Sequence, residues 1–374
     1  MFGAWQFRLS IYFHQSSLYS NILTGMSKQL KHTVIFFYLL TAALGCKNNN
    51  SVFSYGSFPA NISLTGKSIE TDSVMLRYPF RIKHQDSLAI VMDLHHPDYF
   101  YHSFTYPQFR YISSFGKRGQ APEEILSAEN FRLAEGKIWG LDANKHLIKN
   151  MPLRGAYKET DTKQISLNKE IIRALDFALY DDSCFIIPDY SGRHRFHIID
   201  KNGNIKSSHG EIPTLEHKNR DMALAQAWRS FIGYNSNSGI LAMVTQLGEV
   251  LEVYNIKEGT HIVKFGPHGE PEYDEAEGMA IPSGVMGFSD IQVTDKNIYA
   301  VFHGRSFKEI AEQQQPAIDG GRYIYVFSLK GEPLVRYTLD RFIYGIDVNE
   351  KTNELYAVDV NSNLPVVKFK LEHL

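Results

Sequence analysis

Cysteine is nearly missing from this chain: 374 residues contain two, Cys46 and Cys184. Two cysteines cannot build a disulfide framework, so the fold must rest on a packed core. An excess of charge is missing too. Lys and Arg number 39 against 41 Asp and Glu, for a net charge of −2, which leaves no electrostatic footprint for nucleic acid. No apolar run reaches the ~20 residues that span a bilayer. The catalytic signatures that can be read from one sequence are also absent. There is no Gly-x-Ser-x-Gly elbow, Walker loop, His-Glu-x-x-His or paired-cysteine zinc pattern. Apolar residues (43%) and aromatics (13%) are plentiful, enough for a large core and unlike a disordered chain.

The apolar residues recur with a period. Ala89-Ile-Val-Met-Asp93, Ile138-Trp-Gly-Leu-Asp142, Phe185-Ile-Ile-Pro-Asp189 and Leu355-Tyr-Ala-Val-Asp359 each run an apolar strand into a polar turn. Two degenerate copies, Leu241-Ala-Met-Val-Thr245 and Ile298-Tyr-Ala-Val-Phe302, fill the gap between the third and the last. A second strand follows each copy, as in Arg195-Phe-His-Ile-Ile199. Units of about 50 residues built from several strands read as propeller blades. The expected fold is therefore all-β: a six-bladed propeller of four-stranded blades over residues 61–374. In the fifth unit the strands read as 287–293, 297–302, 322–328 and 333–339, with turns at Asp295-Lys-Asn297 and Lys330-Gly331. The sixth unit starts at Phe342-Ile-Tyr-Gly-Ile-Asp347 and runs out of chain after its third strand, Val366–Leu371. Ile62–Ile69, left over before the first unit, supplies the fourth strand and closes the ring from the opposite terminus.

Ahead of the propeller lies an address. Met26-Ser-Lys-Gln-Leu-Lys-His is a basic n-region and Thr33–Leu44 an apolar core, with Gly45 before Cys46. This resembles a bacterial lipoprotein signal, although Ala43 stands where such signals usually carry leucine. The resemblance implies that Cys46 is lipidated and becomes the mature N-terminus. On this reading 1–25 is an upstream extension from a mis-assigned start, 26–45 the signal, and 46–60 a flexible tether. Cys184, in Ser183-Cys-Phe-Ile-Ile, is expected to be a buried apolar thiol. The expected location is the cell envelope, lipid-anchored at the outer membrane. Lys47-Asn-Asn-Asn50 lacks the acidic character of surface-export signals, which favours the periplasmic side while leaving it open.

A second repeat marks two blade-to-blade connections. Phe115-Gly-Lys-Arg-Gly119 precedes Ala121-Pro-Glu-Glu124, and Phe265-Gly-Pro-His-Gly269 precedes Glu270-Pro-Glu272. Phe-Gly-x-x-Gly with a following Pro and Glu resembles the connection of NHL-type propellers. With the signal, residues 61–374 resemble the TolB-like six-bladed propeller lipoproteins. That resemblance implies a fold and an envelope location and brings no established reaction.

In a four-stranded blade the turn after the second strand and the connection to the next blade share one rim, where propellers usually bind. Here that rim carries Asp93, His95, His96, Asp142, Asn144, Asp189, Arg193, His194, Gln246, His303, Arg305, Asp359 and Asn361 as candidate binding residues. For each aspartate the favoured role is structural, accepting hydrogen bonds from amides of its own turn. His95-His96-Pro97-Asp98 with His102 looks metal-like at first. Adjacent histidines on a strand face opposite ways, so exposed turn histidines are expected, with no metal and no cofactor. An acid–base carboxylate pair drawn from different blades remains open, and sugar-lactone hydrolase propellers show that this scaffold can carry a metal-dependent reaction.

Two insertions interrupt the repeat. Between the second and third strands of the fifth unit, His303–Gly321 holds a helical stretch at Phe307-Lys-Glu-Ile-Ala-Glu312. The connection before the fourth unit holds another around Arg220–Trp228. Both read as a lid, a docking surface or solvated decoration. The leading functional expectation is a non-catalytic binding or scaffolding module, monomeric, taking an envelope protein, a peptide or a glycan at the rim. The alternative is a hydrolase or lyase acting on a sugar- or peptide-derived substrate in the channel.

Overall fold

The structure, a computed structural model, describes residues 50–71, 74–134, 136–152, 163–216, 221–312 and 318–372. Residues 1–25, the signal at 26–45 and Cys46 lie outside the described residues. Alternating apolar residues set the strands, and both faces of the middle strands are buried because each blade is covered by a neighbour on either side. In the strand Leu88–Asp93, Ala89 and Val91 pack toward the sixth blade, while Ile90 and Met92 pack toward the second.

Among the described residues, twenty-eight strands, β1 to β28, run in chain order. Five blades take four consecutive strands each from inner to outer, and the sixth takes three and borrows its outer strand. Blade 1 is β4–β7 (Pro79–Gln85, Leu88–Asp93, Tyr99–Thr105, Tyr111–Lys117) and blade 2 is β8–β11 (Ala128–Ala134, Lys137–Asp142, Leu147–Pro152, Lys163–Ser166). Blade 3 is β12–β15 (Ala178–Asp181, Cys184–Pro188, Phe196–Asp200, Ile205–His209), and blade 4 is β16–β19 (Ser230–Asn235, Ile240–Thr245, Val250–Asn255, Thr260–Phe265). Blade 5 is β22–β25 (Phe288–Val293, Asn297–Phe302, Gly321–Ser328, Pro333–Ile343), close to the strands read from sequence. Blade 6 is β26–β28 (Ile346–Asn349, Glu354–Val358, Val366–Lys370), completed by β3 (Lys67–Ile69), which pairs antiparallel with β28. The six-bladed, N-terminally closed propeller is the observed fold.

The closing segment does more than the sequence suggests. Residues 62–69 are two strands rather than one. β2 (Ala60–Leu64) pairs parallel with β25 as a fifth strand on blade 5, and only β3 completes blade 6. Upstream, β1 (Asn50–Ser54) pairs parallel with β19 as a fifth strand on blade 4. Residues 50–60, expected as part of a flexible tether, are thus pinned to the propeller. Tyr55 and Phe58 are buried in the core between blades 4 and 5, with the Phe58 ring 4.6 Å from that of Tyr325. The physical reason is the open edge: outer strands offer unpaired amides and carbonyls, and a polar stretch containing Tyr55 and Phe58 can cover them. Composition alone hid those two anchors.

Six apolar clusters lie one at each blade-to-blade interface, and a seventh packs the helix α1 (Met222–Ala227) against blade 4. Inner strands are also stitched across by polar groups. Asp176 accepts from the Ile232 amide (2.8 Å), Asp290 from the Ile346 amide (2.8 Å) and Asp347 from the His84 amide (2.6 Å). Arg132 donates to Asp176 (2.7 Å), and Arg81, 0% exposed, lies 3.5 Å from Asp290. Between blades 3 and 4 the buried pair Arg195–Glu252 (2.6 Å) is completed by Ser230 and Tyr254. Burial disfavours the Glu252 anion, but Arg195 and His261 together outweigh it and hold the carboxyl at about 2. Cys184 is buried and free, as its apolar setting implies.

The Phe-Gly-x-x-Gly connections have a steric cause. A Cβ at Gly116, whose φ is +67°, would meet the Tyr101 ring at 2.5 Å, and one at Gly266 would meet the Glu249 carboxylate at 2.1 Å. Each glycine makes room for a neighbouring buried side chain.

Candidate functional site

The rim formed by the turns after the second strands and the blade-to-blade connections divides into two kinds of turn. In four blades the turn opens on an aspartate whose carboxylate is consumed by backbone amides. Asp93 accepts from Arg77 (2.6 Å), Tyr78 (3.0 Å), His95 (2.8 Å) and His96 (3.0 Å), locking its turn to the preceding connection. Asp142 accepts from Leu126 (2.7 Å), Ser127 (3.1 Å) and Lys145 (3.1 Å) in the same way. Asp189 takes the Ser191 and His194 amides and lies 3.5 Å from His197. Burial opposes its ionisation, yet these hydrogen bonds hold its carboxyl well below the usual carboxylate range. Asp359 takes the Asn361 amide at 2.9 Å, and burial pushes its carboxyl up. All four are buried, so they shape the rim without offering their carboxylates to it.

The side chains beside them are scattered. His95 is exposed and packs on Tyr78 (4.6 Å), whereas His96 is turned back by hydrogen bonds from the Asp98 and Tyr99 amides. Asn144 is exposed, and exposed Arg193 donates to the Ser191 hydroxyl of its own turn at 3.3 Å and lies 3.8 Å from Glu170. The His194 ring lies 5.8 Å from that of His197. Among the described residues, no group of three or more His, Cys, Asp or Glu is arranged to hold a metal ion.

Blades 4 and 5, the degenerate copies, behave differently. Thr245 stands at the aspartate position of blade 4, 0% exposed, and its hydroxyl has no hydrogen-bond partner. In blade 5 the turn opens on Phe302-His303. His303 is 3% exposed, and neither ring nitrogen has a partner. Burial, helped by the charge of Arg305, lowers its imidazole to about 4, so at neutral pH it carries one donor and one acceptor and no charge.

These two turns meet at a cavity of about 400 Å³. Gln246 and His303 line it together with Arg229, Phe231, Phe288 and Tyr344. The insertions build its walls. Gln226 comes from α1, which is capped by Asp221 (2.9 Å to the Leu224 amide). Phe307 opens the second helix, α2 (Phe307–Glu312), whose start is held by reciprocal hydrogen bonds between Ser306 and Glu309. Met279 and Pro282 come from the hairpin β20–β21 (Tyr273–Ala276, Met279–Pro282), which the sequence reading did not foresee. The blade 5 insertion is tied down on its far side: Asn361 exchanges two hydrogen bonds with the Asp319 backbone (2.9 and 2.8 Å), and the Asp319 carboxylate accepts from Tyr78. Arg305 donates to the Ile318 carbonyl at 2.5 Å and lies 4.9 Å over the Phe342 ring. A second cavity, about 410 Å³ and more open, lies on blade 1 between Met75, Arg77, His96 and Tyr111.

Of the thirteen rim candidates, Gln246 and His303 are brought together in the cavity, and Arg305 and Asn361 brace the loop beside it. Arg229, Phe231, Phe288 and Tyr344 were missed. The available signal was the repeat itself, which loses its aspartate in the two blades that form the pocket.

The fold and the site define a six-bladed propeller with an elaborated mouth. A family model described as TolB-like 6-blade propeller-like matches residues 57–351, and the chain belongs to that family. Among solved structures, the chain is similar to a DUF4221 family member from Bacteroides vulgatus (TM-score 0.56, 11% identity, 83% of this chain and 96% of that one). It is likewise similar to a putative exported protein from Bacteroides fragilis (TM-score 0.55, 9% identity, 86% of this chain and 100% of that one). A streptogramin B lyase structure follows (TM-score 0.50, 11% identity, 83% and 97%). At these identities the likeness is one of fold. No curated protein matches the chain.

Proposed function

We propose that this protein is a lipid-anchored propeller of the cell envelope that binds a ligand, without transforming it, at the mouth between blades 4 and 5. One observation carries the reading: His303, a buried residue in the lining of a preformed cavity, has two ring nitrogens without a hydrogen-bond partner. A buried polar group left unmade costs about 1–3 kcal/mol, a cost that a ligand supplying the missing partner would offset. The envelope location is supported by the signal-like segment ending at Cys46 and by the exported protein of similar fold.

The anchor then has a geometric consequence. β1 runs parallel to β19, with Asn50 opposite His261 and Ser54 opposite Phe265. Phe265 leads into the connection on the mouth rim, so Asn50 starts at the opposite rim. Cys46 precedes Asn50 by four residues, a reach of ~14 Å at most. A lipid on Cys46 would hold the rim opposite the mouth toward the membrane and leave the mouth facing away from it.

Two measurements test this. Cys46→Ser should move the protein from the detergent-requiring membrane pool to the soluble pool; retention in membranes would refute the anchor. For the site, ligand is captured from envelope extracts by the mature chain and by His303→Leu and Gln246→Ala variants. The reading requires that both variants lose what the parent captures. Equal capture moves the site elsewhere, and chemically altered captured material would establish the hydrolase or lyase alternative.

A further inference from the structure

The lining of the mouth cavity is chemically one-sided. Among the described residues, Arg229 is the only permanently charged one in its lining, and no carboxylate lines it. The Nε of Arg229 is buried without a partner, and its guanidinium lies 5.9 Å over the Tyr190 ring. His303 adds a neutral N–H donor. Four of the remaining lining residues, Phe231, Phe288, Phe307 and Tyr344, are aromatic.

Aromatic walls alone would also suit a cation, because ring faces attract positive charge. Here the protein has already used two of those rings. The guanidinium of buried Arg81 lies 4.7 Å over Phe231 and 6.0 Å over Tyr344. Asp290 is the carboxylate closest to that arginine, at 3.5 Å, and it is shared with Lys83 at 3.9 Å. Behind the wall Arg81 and Lys83 share Asp290, with buried Asp176 acting on Arg81 from further off. At the front the charge of Arg229 is partly met by Glu129, which lies outside the lining. A cationic ligand would meet the Arg229 guanidinium with no carboxylate in the lining beside it, and rings already faced by Arg81. An anionic one would meet the complementary charge of Arg229, with the neutral imidazole of His303 beside it in the lining.

We propose that the mouth cavity binds a small organic anion, a carboxylate carried on an aromatic or extended apolar body. The carboxylate sits against Arg229 and His303, and the body lies along Phe231, Phe288 and Phe307. A volume of about 400 Å³ accommodates a ligand of that size. This rests on the reading that the mouth is the binding site.

The test uses the mature chain with two probes that differ only in charge, para-fluorophenylpropionate and its amide, followed by ligand-observed fluorine NMR. The carboxylate should bind more tightly than the amide by on the order of tenfold, the value of one charge-assisted hydrogen bond. Arg229→Gln should abolish that preference and leave the melting temperature unchanged. His303→Leu should weaken both probes, and Arg193→Gln should weaken neither. Equal binding of the two probes, or a preference that survives Arg229→Gln, overturns the proposal. If neither probe binds while the pocket variants still lose captured material, the ligand class is wrong and the site stands. If neither probe binds and capture is also indifferent to the pocket variants, the site itself is refuted.

Discussion

In blade 1 the turn after the second strand is closed by Asp93, which gathers four backbone amides onto one buried carboxylate. In blade 5 the same place in the repeat is Phe302-His303, and the buried imidazole gathers nothing. The blades around the two turns are alike in their four antiparallel strands, apolar on both faces and stacked between neighbours, with β2 added only at the outer edge of blade 5. The difference lies only in whether the turn consumes its own polar groups. A self-satisfied turn is a structural part, because nothing is left over for another molecule. An unsatisfied one sacrifices stability, and polar atoms kept unpaired at such a cost are expected where a ligand supplies the partner. Thr245 in blade 4 repeats the pattern with its unpartnered hydroxyl, and the next residue, Gln246, lines the same cavity.

The strongest way to break this comparison is to remove a consumed carboxylate. Asp93→Ala strands the amides of Arg77, Tyr78, His95 and His96 and uncouples the turn from the connection that precedes it. The expected loss is about 3–5 kcal/mol, as for other buried charged groups that lose a partner. Urea unfolding measures it. A loss below about 1 kcal/mol would show that these turns are held by something other than their aspartates.

Acid separates the two kinds of turn. The folded protein holds His303 at about 4 against 6.5 for the free group. Above pH 6.5 neither state takes the proton and the full stability is present. As pH falls from 6.5 toward 4 the unfolded chain is protonated while the folded one resists, so stability drains through that window and the contribution is flat below it. At about 1.4 kcal/mol per pH unit this amounts to ~3 kcal/mol. His102, also lowered to about 4 by burial and by His96, adds a loss in the same window. Asp189 acts later: its depressed carboxyl contributes stability that is intact above the ordinary aspartate range and disappears only below it. His303→Leu should therefore flatten the stability curve between pH 6.5 and 4 by roughly half and leave the Asp189 limb unchanged. An identical curve for the variant would mean that the imidazole takes up its proton freely in the folded protein.

A gentler change sharpens the comparison from the other side. Thr245→Val replaces an unpartnered buried hydroxyl by a methyl of the same shape, and the expected result is a gain of up to ~1 kcal/mol or no change. Thr→Val at a satisfied site would cost stability instead. Thermal unfolding decides the sign.

The propeller was legible because its signal is repeated six times and each copy corrects the others. Blade number followed from the six copies, the degenerate ones at 241–245 and 298–302 included, and the closing role of the N-terminus from the strand left over at 62–69 and the one missing from the sixth unit. The N-terminal closing segment was half legible. Ile62–Ile69 read as a strand, but β1 is short and polar, and its pairing with β19 spans a separation in sequence that no local pattern encodes. The cavity was the least legible part. Gln246 and His303 were identified by their place in the repeat, whereas Arg229 and Tyr344 sit in irregular connections with no period to mark them. Missing partners are visible only once side chains are placed, so the orphaned nitrogens of His303 had no counterpart in the sequence.

The smallest expected effect completes the contrast. Arg193 and His194 stand on a rim turn and look from sequence like binding residues. Arg193 is exposed, and its ion pair with Glu170 is long, at 3.8 Å, between two exposed side chains. Pairs of that kind contribute little, because solvent screens them and ordering both chains costs entropy. His194 serves the turn through its backbone amide, bound to Asp189 at 2.9 Å, which survives truncation of the ring. The double variant Arg193→Ala, His194→Ala should therefore change stability by less than about 0.5 kcal/mol. It should also leave binding at the mouth of blades 4 and 5 untouched. A loss of capture as large as that of His303→Leu would show that a self-satisfied turn also binds. The distinction between the two kinds of turn would then fail as a guide to the site.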